Sequence, residues 1–277
     1  MLSTSEIKEK INKFNDIGKI ILSMKSIASI NVQQAQSQIE KIRLYQEEII
    51  NTINQIYSLF PEISKIIPDG EKLFIIWGSD QGLCGTFNKA LIQKANNISN
   101  AGKNIKGFIL VGKRLDDNFT GKRLNILPAP VDISSIYSYA NNLIKDISEI
   151  YSTGQIQEIN LVYNQFKGIG SFKTIIKKVF PFISKNNQPD YPPIVDMNPQ
   201  DLLNNALFEY IYGFIYQAYL ESFLSENGIR LMNMSSASKN IDEKIQNLQY
   251  ENNFSRQEEI TAEMLEIISS YGLLVEK

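Results

Sequence analysis

The chain has 277 residues and a formal net charge of −2, enough for one large domain or two small ones. That near-balance supplies no basic excess for nucleic acid, and no apolar run approaches the roughly 18 residues a membrane span needs. One cysteine excludes an internal disulfide and a zinc motif, and the absence of histidine removes the commonest general base and metal ligand. At the N-terminus, MLSTSEIKEK lacks both the apolar core of a signal peptide and the Arg-rich bias of a transit peptide. A soluble protein of a reducing compartment follows.

All nine prolines lie between Pro61 and Pro199, and eleven of the fifteen glycines between Gly70 and Gly170. Helix interiors exclude proline and disfavour glycine, so the chain divides into helical ends, 1–60 and 199–277, around a punctuated α/β middle, 61–198. In the first segment, alternate steps of three and four from Phe60 back to Ile7 meet apolar residues except at Gln46, Lys25 and Gly18. That is the heptad seam of a coiled coil, and a helix of this span would be roughly 80 Å long and project from a compact domain. Between Ile20 and Ile39 the only charged side chain is Lys25. A solvated coiled coil carries charges on its outer face, so this bland surface suggests a rod enclosed by a partner.

In the middle, Lys72–Gly78 reads as a buried strand, Phe87–Ile98 as a helix, Ile105–Val111 as a strand and Ile133–Tyr151 as a second helix. Glu158–Asn164 and Phe172–Phe182 read as further strands. Strands alternating with helices imply a βαβ-type sheet. The stretch DYPPIVDMNP, Asp190–Pro199, links to the last helix, with Asn198 as its cap and Pro199 at its first position. Apolar residues then recur at Leu207, Ile211, Phe214 and Ala218, at Met234, Ile241, Ile245 and Leu248, and at Ile260, Met264, Ile267, Tyr271 and Leu274. Two long terminal helices, each with an apolar seam, most simply pair antiparallel.

The turn after the first strand holds Asp80, Gly82, Cys84 and Gly85 in GSDQGLCG. Three readings stand. Gly82-Leu83-Cys84-Gly85 has the small-residue setting of a nucleophile elbow, yet no histidine is present to activate the thiol. A glycine turn before a helix can cradle a phosphate, yet the spacing is neither GxGxxG nor a Walker loop. The third is a tight βα corner whose glycines serve backbone conformation and close packing, with Cys84 buried. For the whole chain the alternatives are a mechanical subunit, an enzyme using this turn, and a free-standing coiled-coil adaptor on an α/β module.

Four stretches carry a resemblance. SDQGLCGTFN (Ser79–Asn88) resembles the Ser-Asp-Arg-Gly-Leu-Cys-Gly signature of the gamma chain of F-type ATP synthases. KINKFNDIGKIILSMKSIAS (Lys10–Ser29), SENGIRLMNMSSASKNIDEKIQNL (Ser225–Leu248) and NFSRQEEITAEMLEIIS (Asn253–Ser269) resemble that family's terminal-helix motifs, in the same order. The resemblance implies terminal helices paired as an antiparallel coiled-coil shaft beside a Rossmann-like domain. It implies a non-catalytic central rotor without cofactor, metal or nucleic acid. The shaft turns inside a ring of alpha and beta subunits, with the epsilon subunit and the c ring as further partners. It couples ion flow to ATP synthesis or hydrolysis at the beta subunits. It also implies a place peripheral to an energy-coupling membrane, at the cytoplasmic face of a bacterial inner membrane, with the mitochondrial matrix side as the alternative. By motif position Met24, Arg256, Gln257 and Thr261 face the alpha–beta ring, and Arg230, Lys239 and Asn240 match family positions on the last helix. The chain departs from the motifs at Leu22, Gln81, Ser235 and Phe254, where charged family contacts are missing. The cysteine pair of plastid forms is absent, which argues against thiol control.

Overall fold

Long helices form both ends of the chain in the computed structural model, which describes residues 3–61, 70–130, 132–152, 156–184 and 197–275. Helix α1 spans Thr4–Leu59 and helix α4 spans Pro199–Val275. Each start is written locally. Ser3 caps α1 in a capping box: its Oγ accepts from the Glu6 N–H at 3.3 Å, and its own N–H donates to the Glu6 carboxylate at 2.9 Å. Asn198 caps α4 by accepting the Gln200 N–H at 2.9 Å, with Pro199 at the first helical position.

The chain divides into two compact units, Met1–Ile27 with Leu231–Lys277, and Ala28–Arg230. In the first, Thr4 Oγ1 donates to the Glu259 carboxylate at 3.1 Å, and a Cβ on Gly18 would lie 3.6 Å from Ile241. In the second, Asn31 donates to Asn227 Oδ1 at 3.0 Å and Gln46 to the Tyr210 carbonyl at 3.4 Å. In both units partner numbers fall as residue numbers rise, so the helices run antiparallel. Every seam position read from Ile7 to Phe60 is buried or half-buried. The seam read for α4 holds through Leu248 but not beyond it. Ile260, Met264 and Ile267 are 46, 62 and 63 % exposed. Because α1 begins at Thr4, opposite Glu259, no helix among the described residues stands against them. The side chains of Tyr271 and Leu274 lie outside the described residues, as does most of the Asp190–Pro199 stretch.

Within the second unit, β1 (Glu71–Trp77), α2 (Phe87–Ala101), β2 (Ile105–Val111), β3 (Arg123–Leu127), α3 (Ile136–Ser152), β4 (Ile156–Gly168) and β5 (Ser171–Phe180) build one five-stranded sheet in the order β3-β2-β1-β4-β5. β1 pairs parallel with both β2 and β4, and β3 parallel with β2. β5 folds back antiparallel on β4. The sheet is therefore mixed rather than purely βαβ, because the two residues between β4 and β5 allow only a hairpin. β3 was not expected from the sequence. It is a five-residue edge strand with two half-buried side chains, Leu124 and Leu127, and too few apolar positions to show a period. Helix α3 starts later than its apolar pattern. The Asp132 carboxylate accepts from the Ser135 N–H at 2.8 Å and from Ser134 Oγ at 2.7 Å, which holds the preceding residues in a turn.

Alternate side chains of β1 serve two cores, which is why the strand is apolar from Leu73 to Trp77. Leu73, Ile75 and Trp77 join α1, α3 and α4 on one face. Phe74 and Ile76 join Phe87, Leu91 and Ala95 of α2 on the other. Each such buried side chain contributes about 1.5–3 kcal/mol relative to exposure.

Candidate functional site

The glycine corner between β1 and α2 is closed by its own hydrogen bonds. Ser79 N–H donates to Asn88 Oδ1 at 3.1 Å, Asn88 Nδ2 donates to Ser79 Oγ at 2.9 Å, and Ser79 Oγ donates to the Gln81 carbonyl at 3.0 Å. Asp80 Oδ1 accepts two backbone N–H groups, from Lys113 at 2.8 Å and Ala129 at 3.1 Å. It thus ties the corner to the loops after β2 and β3. Gly85 has φ 57° and Leu83 φ 64°, so the tight path needs left-handed backbone at two points, one of them a non-glycine. Gly112, at φ +107°, stacks on this corner so closely that a Cβ would lie 2.6 Å from the Ser79 nitrogen.

Cys84 is 3 % exposed and packs with Phe87, Leu91 and Leu115. Its thiol lies 3.7 Å from the Gln81 carbonyl and 3.8 Å from Ser79 Oγ. Burial, and then the Glu226 carboxylate, push the thiol above its ordinary pKa. A nucleophilic cysteine needs the opposite shift. Beside the corner opens a cleft of about 740 Å³ lined by Gly82, Leu83, Asn88, Lys89, Asn96 and Arg114 among others. No carboxylate among the described residues lines it. Among the described residues no cluster of acidic or cysteine side chains could hold a metal ion.

In sheets of this order ligands bind where the strand order reverses, at the carboxyl ends of β1 and β4. Here α4 occupies that crevice. Ser222 Oγ donates to the Trp77 carbonyl at the end of β1 (3.2 Å), and Ser225 Oγ to the Asn164 carbonyl of β4 (2.9 Å). The Phe166 N–H donates to Glu221 Oε2 at 2.9 Å, while Arg43 of α1 donates to Glu221 Oε1 at 2.7 Å. Arg230 reaches the Gly82 carbonyl at 3.3 Å and pairs with Glu226. Burial raises the Glu226 carboxyl pKa against the pull of Arg230. Arg230 was singled out by motif position, but the buried roles of Glu221, Ser222, Ser225 and Glu226 escaped the sequence reading, which took this part of α4 for its apolar periodicity. The signal that could have found them is the run Glu221-Ser222 and Ser225-Glu226 inside an otherwise apolar stretch.

The residues assigned by motif position fall into separate places. Met24 is half-buried on α1, beside the exposed Leu22 and Ile27. Arg256, Gln257 and Thr261 are exposed on one stretch of α4, where Thr261 Oγ1 donates to the Gln257 carbonyl at 2.8 Å. Lys239 and Asn240 are exposed, Lys239 lying 3.8 Å from Glu243. Arg230 is buried and turned toward the glycine corner.

A family model described as ATP synthase matches residues 3–273. The chain is 28 % identical over 270 residues to the ATP synthase gamma chain of Clostridium botulinum (strain Hall), covering 95 % of each chain. Its fold is similar to a chain in the Euglena gracilis mitochondrial ATP synthase assembly of OSCP, F1 and c-ring, with a TM-score of 0.65, 17 % identity, and coverage of 98 % of this chain and 94 % of that one. A chain of the Tetrahymena thermophila mitochondrial ATP synthase central stalk and c-ring matches with a TM-score of 0.56, 18 % identity, and coverage of 79 % and 99 %.

Proposed function

This chain belongs to the ATP synthase family, as one of its gamma chains, and from that premise we propose that it is the central rotor shaft of a rotary ATP synthase. It is a non-catalytic subunit. Its work is to carry rotation between the ion-driven part of the machine and the catalytic beta subunits. The observation that carries this reading is the match from residue 3 to residue 273, which spans both terminal helices and the α/β domain without a break. The filled strand-end crevice and the buried, unactivated thiol support it, since they leave the two places where this fold would do chemistry without the groups to do it.

The partners we assign are a ring of alpha and beta subunits around the paired helices, an epsilon subunit and the c ring. We assign the helices, 1–60 and 199–277, to the shaft and 61–198 to its α/β domain. The chain is then peripheral to an energy-coupling membrane, at the cytoplasmic face of a bacterial inner membrane. Met24, Arg256, Gln257 and Thr261 are the contacts proposed for the ring. The exposure of Arg256, Gln257 and Thr261 supports that role, as does the run of exposed apolar side chains Ile260, Met264, Leu265, Ile267 and Ile268 that follows. A shaft with a different face toward each of three otherwise equal sites shifts each site's conformational population differently.

Reconstitution tests this. Alpha and beta subunits mixed with the chain should copurify at one chain per three pairs and gain ATPase activity. A chain that elutes alone and leaves their activity unchanged overturns the proposal.

A further inference from the structure

We infer that Glu221 is the residue that locks the rotational position of α4 to both the sheet and α1, and so lets the α/β domain pass torque to the helices. The inference rests on the rotor reading. It starts from a buried carboxylate whose side chain is wholly inaccessible and whose two oxygens point to different elements. Oε1 takes the Arg43 guanidinium of α1 at 2.7 Å. Oε2 takes the Phe166 N–H of β4 at 2.9 Å, next to the point where the β4–β5 register shifts. One side chain therefore joins three elements of the unit Ala28–Arg230.

A buried ion pair is a poor device for stability, since taking two charges out of water offsets most of their attraction. It is a good device for position. The rest of the α4 packing is largely apolar, through Ala218, Tyr219, Leu220, Phe223 and Leu224. Apolar contact is non-directional, so such a surface resists turning only through side-chain collisions and not through directed bonds. Turning α4 by one residue moves the carboxylate by about 100° around the helix axis. Both of its partners are then lost while it stays buried, and the energy rises steeply. Ser222, bonded to the Trp77 carbonyl at the end of β1, and Ser225, shared between the Asn164 carbonyl of β4 and the Glu221 carbonyl of its own helix, add shallower stops. An apolar residue at 221 would pack, but it would add no directional bond to β4 or α1.

The test uses the assembled membrane complex. Complexes carrying the wild-type chain, Glu221→Gln or Arg43→Met are compared by ATP hydrolysis, by ATP-driven ion uptake into vesicles, and by the angular spread of a bead on the α/β domain with the catalytic ring arrested. Glu221→Gln can keep the bond to Phe166 but sets an amide against Arg43. We expect pumping per ATP to fall about two- to fivefold with hydrolysis maintained, together with a wider angular spread. Arg43→Met, which takes the guanidinium from Oε1 while the Phe166 N–H stays on Oε2, should move both readouts in the same direction. It decides the matter if Glu221→Gln does not assemble. Variants that lose thermal stability yet keep wild-type pumping per ATP and angular spread overturn the lock, because a merely structural role would do just that. A wild-type chain that restores no pumping overturns the rotor reading and the lock with it.

Discussion

Cys84 illustrates how one environment decides what a residue can do. The same thiol in an exposed turn, beside a base, would be a nucleophile; here it is 3 % exposed and its pKa is raised by burial and by the Glu226 carboxylate. At any pH below that raised value the native thiolate fraction is smaller than in the unfolded chain. Iodoacetamide at pH 8 should therefore label the unfolded chain much faster than the native one, with the native rate rising only at higher pH. Equal rates in the two states would contradict the burial. The short corner around it was identifiable from its letters, while its hydrogen bonding was not. That Asp80 braces two loops depends on where Lys113 and Ala129 come to rest, more than thirty residues away in the chain.

Among elements, α1 is the most legible. A period of seven, kept from Ile7 to Phe60, means that one face is apolar whatever lies opposite, so the buried set follows from spacing alone. Ala28 and Ala35 sit fully buried on that face, where a small side chain lets the neighbouring backbone come close. Ala35→Leu should overpack this seam and lower stability by about 1–3 kcal/mol. Gln34→Ala on the exposed side should change it by less than about 0.5 kcal/mol. Urea unfolding of the two variants checks the pair, and equal midpoints would mean that the seam is not where the spacing puts it. β3 is the opposite case. Its two half-buried leucines make a strand only because β2 offers a free edge beside them.

For the molecule as a whole, the stretch Ile20–Ile39 matters for what it lacks. Its exposed residues include Ile20, Leu22, Ile27 and Ile30, and its single charge is Lys25. A shaft that slips past several partner faces in each turn is hindered by a strong, directional ion pair to any one of them. Ile27→Lys, at a position 59 % exposed, adds such a charge. The assembled complex should then turn over more slowly or pump fewer ions per ATP. Unchanged hydrolysis and pumping would remove the reason offered here for the bland face.

Periodicity, capping residues and proline placement were enough to set out both terminal helices and the α/β character of the middle, because these depend on neighbours within a few residues; the antiparallel pairing was only the simplest arrangement of two such helices. The order of the signature stretches was enough to indicate the family. What needed the folded chain was every relation between distant residues. These include β5 turning back on β4, α4 filling the crevice at the ends of β1 and β4, and the paired helices stopping near Glu259 so that Ile260 and Met264 stand uncovered. A buried carboxylate such as Glu221 reads in sequence as one of a few polar letters in a mostly apolar stretch. Only Arg43 and the Phe166 N–H, brought to it from other elements, explain why burying it there is tolerable.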